Sequence, residues 1–424
     1  MIQFLDHPRW RSGILSPLQT VDYRKLLGSN TLWWQALYME VLVVGWLVLE
    51  LTGSAWLVAI VGFCRSFPFL ICGNLSGLVA DRFGRRATII WMQGITFAAY
   101  AAIAILLITG RIAYWHLVVS ALVLGTSWAL DWPNRRALVP DMVGKSKTVD
   151  AILLESLGQG VARTLGPFLV GWILAVFGST GSFITLAAMS LAAFGLLLAL
   201  SNEPLTRTVM PDRTPVLTQM RQGLSYVRHN QAILAVAITT ALMNLFVFSY
   251  GNFLPIFAKD ILQQGPVGMG VLGAASGVGS FAGLYLVNLL RNRVGYGWIF
   301  MVGTLAECVA LAIFAFSGNY AFSFAMLAIV GFGQASFGIM QSSIVLMAAP
   351  DEMRGRAMGA IVLAIGVGPL GKLQSGALVE WLGAPLGIGL QAIVASVAMV
   401  LVLILLPGIR RFGNGEPEAA QNRG

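Results

Sequence analysis

Charged side chains are scarce in this chain. They make up 11% of its 424 residues, where a soluble domain carries about 25%. That scarcity excludes a soluble fold of this size, which could not cover its surface with polar groups. Cysteine and histidine are rarer still. Cys64, Cys72 and Cys308 all sit within apolar runs, and His7, His116 and His229 form no cluster. Neither a disulfide framework nor a metal site is expected from such spacing. Zinc-protease, phosphate-loop and nucleophile-elbow patterns are also missing, which argues against an enzyme and against ATP as a direct energy source. No cofactor is implied. No cleavable leader is expected either: residues 1–28, with Arg9, Arg11, Arg24 and Lys25, read as a basic cytoplasmic lead-in.

What fills the chain instead is apolar, 57% of it hydrophobic. A bilayer core needs about 20 apolar residues per helix. Twelve runs meet that length, near 29–50, 55–76, 87–109, 113–132, 148–177, 180–200, 231–256, 267–290, 297–317, 320–347, 356–380 and 384–406. They are too long, and lack the alternation, for a membrane β-barrel. The formal net charge is +9. Its basic residues cluster between the apolar runs, which fits the positive-inside asymmetry and not nucleic-acid binding. With the N-terminus inside, Arg82, Arg85, Arg86, Arg135, Arg136, Arg207, Arg213, Arg291, Arg354 and Arg410 all fall on the cytoplasmic side, against Arg111 and Lys259 outside. The chain therefore reads as an all-α, multi-pass protein of the bacterial cytoplasmic (inner) membrane, with both termini cytoplasmic.

A polar stretch at 202–230, bearing Pro204, Pro211 and Pro215, divides the spans into six-helix bundles at 29–201 and 231–406, with a cytoplasmic tail at 407–424. The halves echo each other. Gly77-Leu78, Val139-Pro140-Asp141 and Gly166-Pro167 recur at nearly one offset as Gly283-Leu284, Ala349-Pro350-Asp351 and Gly368-Pro369. Repeated halves of this kind can rock about a central site and expose it to each side in turn.

The sharpest motif is Gly77-Leu78-Val79-Ala80-Asp81-Arg82-Phe83-Gly84-Arg85-Arg86, between the second and third spans. Its glycines suit a tight turn, and Asp81 stands at a helix end beside cations. Further motifs are Asp131-Trp132-Pro133-Asn134-Arg135-Arg136, Ala162-Arg163-Thr164-Leu165-Gly166-Pro167 with Gly171, and Pro350-Asp351-Glu352-Met353-Arg354-Gly355-Arg356. Together these resemble the major facilitator superfamily, in its enterobactin-exporter and macrolide-efflux-like branch of drug:proton antiporters, over about residues 20–406. The resemblance implies the major facilitator fold, twelve helices in two pseudo-symmetric six-helix halves, and proton-coupled export of a small molecule. It also implies a cytoplasmic latch built from Gly77, Asp81, Arg82, Gly84, Arg85, Arg86 and Asp131, in which Asp81, Arg85 and Asp131 form a charge network. The helix-5 kink at Gly166, Pro167 and Gly171 partly matches the antiporter motif, with Ala162 and Val170 where the family pattern has glycine. Small residues let helices 5 and 8 approach closely, with Gly273, Gly277 and Gly279 as the expected partners.

An ionisable group deep in the bilayer is costly, and is a functional hypothesis by default. Glu40, Glu155, Arg163 and Glu307 are the proton-coupling candidates, with Glu40 and Glu155 ahead of Glu307; each carboxylate has the alternative of a structural ion pair with Arg65, Arg163 or Lys372. Trp34, Tyr38, Asn244, Phe248, Gln341 and Lys372 are candidates for the substrate cavity, where aromatics with a few amides suit a bulky, partly apolar ligand. The expected partners are a small-molecule substrate, protons and membrane lipids, with the chain a monomer and no nucleic acid involved. The alternatives are a proton-coupled importer of a small metabolite and a non-transporting sensor or lipid-handling protein of the same fold.

Overall fold

The computed structural model describes residues 14–72, 75–201, 225–290 and 293–413. Much of the 202–230 connection, the first part of the lead-in and most of the tail lie outside the described residues. Within them the chain is helical, and the helices follow the apolar runs. The first bundle comprises α1 (Val21–Thr52), α2 (Ala55–Cys72), the short α3 (Ser76–Phe83), α4 (Arg85–Ile108), α5 (Tyr114–Val143) and α6 (Thr148–Leu198). The second comprises α7 (Gln231–Phe246), α8 (Tyr250–Ile256), α9 (Pro266–Leu290), α10 (Tyr296–Ala315), α11 (Tyr320–Ala348), α12 (Asp351–Ile365), α13 (Gly368–Leu382), α14 (Ala384–Leu405) and the short α15 (Gly408–Arg411).

Ten of these segments are long and apolar enough to cross a membrane. The twelve expected spans are recovered once two features are added. First, α6 runs for 51 residues but is broken at Gly178, whose φ of 65° and ψ of −170° leave the helical region. Glycine pays no Cβ penalty there, so the fifth and sixth spans meet at a sharp corner with no loop. Second, α5 is a 30-residue helix whose polar residues, Asp131 and Arg135 among them, lower its hydropathy. The seventh and eleventh spans are each interrupted, at residues 247–249 and 366–367.

Chain contacts form two compact units, Met1–Met210 with Leu254–Ala274, and Pro211–Phe253 with Ala275–Gly424. Burial is arranged for lipid. Trp91, Trp115, Trp381 and Leu405 are exposed, and such broad apolar exposure has no place on a water-facing surface. Charged and amide groups lie inside the helical bundles: Glu40, Gln93, Asp131, Arg135, Glu155 and Glu307 are buried. Without a hydrophobic force between helices in lipid, close packing and interior hydrogen bonds hold such a bundle together.

Candidate functional site

The polar interior of the first unit begins on α5. Asp131 and Arg135 stand one turn apart, so their side chains meet on one face. Arg135 Nε bonds Asp131 Oδ1 at 2.8 Å, with the arginine side chain 1% exposed and the aspartate 0%. The guanidinium uses its other donors on two further helices. Nη1 reaches Ser29 Oγ at 3.0 Å and Asn30 Oδ1 at 2.8 Å on α1, and Nη2 reaches Gln93 Oε1 at 2.8 Å on α4. Gln93 in turn donates to Ser190 Oγ at 2.7 Å on α6. Asn30 Nδ2 then donates to Glu155 Oε1 at 2.9 Å. Asp131, Arg135, Asn30 and Glu155 therefore form one continuous buried chain of hydrogen bonds. It has two open acceptors, because Asp131 Oδ2 and Glu155 Oε2 have no hydrogen-bond partner among the described residues.

A second ionic group lies in the same unit. Arg65 of α2 clasps Glu40 of α1 with Nε to Oε1 at 2.8 Å and Nη2 to Oε2 at 3.2 Å. Tyr100 of α4 donates its hydroxyl to Oε2 at 3.0 Å. Both oxygens of Glu40 are thus occupied. A narrow cavity is lined by members of both groups, Arg65 and Tyr100 together with Gln93 and Ser190.

Aromatic rings build a wall beside this interior. On α1, Trp34 and Tyr38 stack at 6.1 Å, and Trp33 meets Trp34 edge-on at 4.8 Å. On α5, Trp128 and Trp132 stack at 6.3 Å, and Phe69 of α2 closes on Trp128 at 4.7 Å. Tyr38 Oη accepts from Gln159 Nε2 at 3.4 Å and Arg163 Nε at 3.3 Å on α6. Four guanidinium groups lie over this wall's rings: Arg65 over Trp128, Arg135 over Trp33, Arg136 over Trp132 and Arg163 over Tyr38, all within 6.0 Å of the ring centre.

The motif loop between α2 and α4 pairs differently from expectation. Arg85 Nη1 bonds Asp141 Oδ2 at 2.8 Å, not Asp131. Ten residues of helix separate the two aspartates, about 15 Å, and Asp141 stands at the end of α5 that Arg85 can reach. Arg86 Nη2 bonds Leu200 O at 2.8 Å, just past the end of α6. Arg82 lies over the ring of Phe83, and Asp81 is exposed at the end of α3. Gly84 turns the chain with φ 85°, a conformation that favours glycine; Gly77 has open space around it. Arg135, counted above among cytoplasmic loop cations, is instead the hub of the interior, because α5 continues to Val143. The sequence did not single it out, and its spacing of four from Asp131 was the available signal.

The helix-5 motif packs tightly. A methyl group built on Gly171 would lie 2.6 Å from Pro266 O and 2.8 Å from Gly270 Cα. One on Gly166 would lie 2.8 Å from Tyr38 Cβ, and one on Gly273 would lie 2.7 Å from Pro167 Cβ. Gly273 thus meets the fifth span, the first part of α6, as expected, Gly270 joins it, and Gly279 packs on Ala328 of α11 instead.

In the second unit, Gln341 Nε2 donates to Thr240 Oγ1 at 2.6 Å and Asn244 Nδ2 to Thr240 O at 2.9 Å. Phe248 meets Phe337 edge-on at 5.3 Å. Ser249 and Ser375 hydroxyls lie 2.5 Å apart across the interrupted spans. Lys372 is half-buried on α13. Glu307 is buried on α10 against Gly333 of α11. No group of His, Cys, Asp and Glu able to hold a metal occurs among the described residues.

The sequence profile described as transmembrane secretion effector matches residues 12–419. The chain is 22% identical over 331 residues to the staphyloferrin A transporter of Staphylococcus aureus, covering 78% of this chain and 82% of that one. It is 23% identical over 380 residues to the multidrug efflux pump Tap of Mycolicibacterium fortuitum, covering 86% and 90%. Among solved structures, the nucleoside transporter NupG superposes with a TM-score of 0.70 at 14% identity, over 92% of this chain and all of that one.

Proposed function

The chain belongs to the transmembrane secretion effector family, a branch of the major facilitator superfamily, and from that premise we propose that it exports a small molecule across the bacterial cytoplasmic membrane in exchange for protons, with Glu155 as the acid that carries the proton. The observation that carries this reading is the open oxygen of Glu155. It is buried, bonded once to Asn30, and three hydrogen bonds away from Asp131, through Asn30 and Arg135. A buried acid with one open oxygen can take a proton without first breaking an ion pair. Glu40 lacks that freedom, because Arg65 and Tyr100 hold both of its oxygens.

The cycle follows from alternating access. In the inward-open state, substrate enters from the cytoplasm or inner leaflet. The halves rock, and substrate is exposed to the outside. A proton arriving from outside binds Glu155 and removes one of the two negative charges that flank Arg135. Asn30 and Arg135 pass that change to Asp131 on α5, the helix whose end, ten residues on, carries the Arg85–Asp141 pair of the motif loop that forms the gate. Both termini are cytoplasmic in this reading, which puts that gate on the cytoplasmic side. The proton leaves inward as the cycle resets.

Proteoliposomes containing the purified chain test the proposal, with substrate movement and internal pH followed together for a panel of dyes, macrolides and catecholate siderophores. Glu155→Gln is expected to abolish proton flux coupled to substrate while movement down a substrate gradient persists. Coupled flux of wild-type size in Glu155→Gln, or uphill movement with no proton gradient, would overturn it.

A further inference from the structure

We infer that the second unit holds one anionic phospholipid, with an acyl chain in a cleft between α9, α10 and α11 and its phosphate at the basic end of α10. The cleft has a volume of about 270 Å³ and belongs wholly to that unit. Its walls are apolar: Leu286 and Leu290 of α9, Ile299 and Val302 of α10, and Phe332 of α11. The hydroxyl among them, on Ser336, already donates to Phe332 O at 3.4 Å. Val302 is 53% exposed, so the cleft opens sideways onto a face that meets lipid. Walls without partner atoms forfeit dispersion contacts, and a hydrocarbon chain restores them.

The mouth of the cleft selects the headgroup. Leu290 ends α9 and Val294 precedes α10, and both line the cleft. One end of it therefore lies at the turn between the eighth and ninth spans, at the membrane surface. Trp298, in the first turn of α10, lines the cleft too, and its indole N–H has no hydrogen-bond partner among the described residues. Indole rings favour the headgroup level, where such an N–H can donate to phosphate or ester oxygen. The surroundings are positive. α15 packs on the same end of α10: Gly297 N donates to Phe412 O at 3.3 Å, and a methyl group built on Gly297 would strike Ile409 O. The two segments that meet there, residues 284–300 and 403–413, hold four arginines and no acidic residue. Arg293, in the turn itself, is exposed, and its side chain has no partner among the described residues. The first turn of α10 has neither an acidic residue nor a side-chain cap, so the helix dipole adds to the attraction for an anion. Basic groups at the end of an apolar cleft recognise anionic headgroups. A zwitterionic lipid would bring its own cation to this end of α10.

The test places the purified full-length chain in phosphatidylcholine vesicles. A varied fraction of the lipid is phosphatidylglycerol or phosphatidylcholine with bromine on an acyl chain, which quenches a neighbouring indole. The quenching that disappears in Trp298→Phe reports the cleft. Brominated phosphatidylglycerol is expected to half-quench that signal at a mole fraction at least about fivefold lower than brominated phosphatidylcholine. Arg293→Gln is expected to cut the preference about fivefold, the effect of one basic residue at an anionic surface. Arg82→Gln, in the first unit, is expected to leave it unchanged. Val302→Phe, at an exposed position, is expected to fill the cleft and remove the Trp298 signal for both lipids without lowering the thermal transition. Equal quenching by the two lipids would overturn the inference, as would a preference lost equally in Arg82→Gln, which means diffuse attraction in place of a site. A Trp298 signal that survives Val302→Phe would place the acyl chain elsewhere and overturn it as well.

Discussion

Arg135 Nε lies 2.8 Å from Asp131 Oδ1 across one turn of α5, with both side chains withdrawn from solvent. A lone buried ion pair is weak evidence of stability, since desolvation offsets attraction. This pair is not alone: the same guanidinium also bonds Ser29, Asn30 and Gln93, which ties α1, α4 and α5 at one point.

Removing either partner leaves the other charged and buried. Arg135→Gln is expected to destabilise the protein by about 3–5 kcal/mol, read as a lowered thermal transition in detergent. The double variant Asp131→Asn with Arg135→Gln should recover part of that loss. Strict additivity of the two single losses would show that the pair is not coupled.

Glu40 and Glu155 should separate stability from coupling. Glu40→Gln strands Arg65 and weakens the bond from Tyr100, so it should cost about 3 kcal/mol of stability while proton coupling survives. Glu155→Gln replaces a singly bonded acid and should cost less in the same thermal measurement.

How much of this was readable beforehand depended on the element. Hydropathy alone placed the twelve spans, because each apolar run is long and its neighbours are polar. It misplaced Arg135. Arg135 and Arg136 are adjacent cations after an apolar run, and a count of loop charges treats them alike. The helix does not stop where the hydrophobicity stops: α5 continues through Pro133 and Pro140 to Val143, and helical geometry turns one arginine inward and the next outward. The Gly166-Pro167 motif was legible because close approach demands small residues. Gly270 was not, because only the packed structure says which of many glycines faces Gly171.

The Arg85–Asp141 pair is half-exposed, with side chains 35% and 19% accessible. Such a pair contributes about 0–1 kcal/mol. Asp141→Asn should therefore leave the thermal transition nearly unchanged and alter transport rate, with an effect that shrinks as salt is raised. A large loss of stability would mean that the loop is structural and not a gate.

Gly171→Ala and Gly270→Ala each push a methyl group into opposing backbone. Overpacking of this kind costs about 1–3 kcal/mol, and transport should fall with it. Gly195→Ala meets open space and is the matched control; a loss there equal to that of Gly171→Ala would show that transport does not depend on the seam.

That seam also limits how the gene can vary. Every missense change in a glycine codon adds at least a Cβ, so no conservative step is open at Gly171 or Gly270. The usual route of second-site repair, in which a neighbour shrinks to readmit the intruding group, is closed as well, because the neighbour of each is already glycine or main chain. Revertants of a Gly171 variant should therefore be true revertants or lie outside the seam.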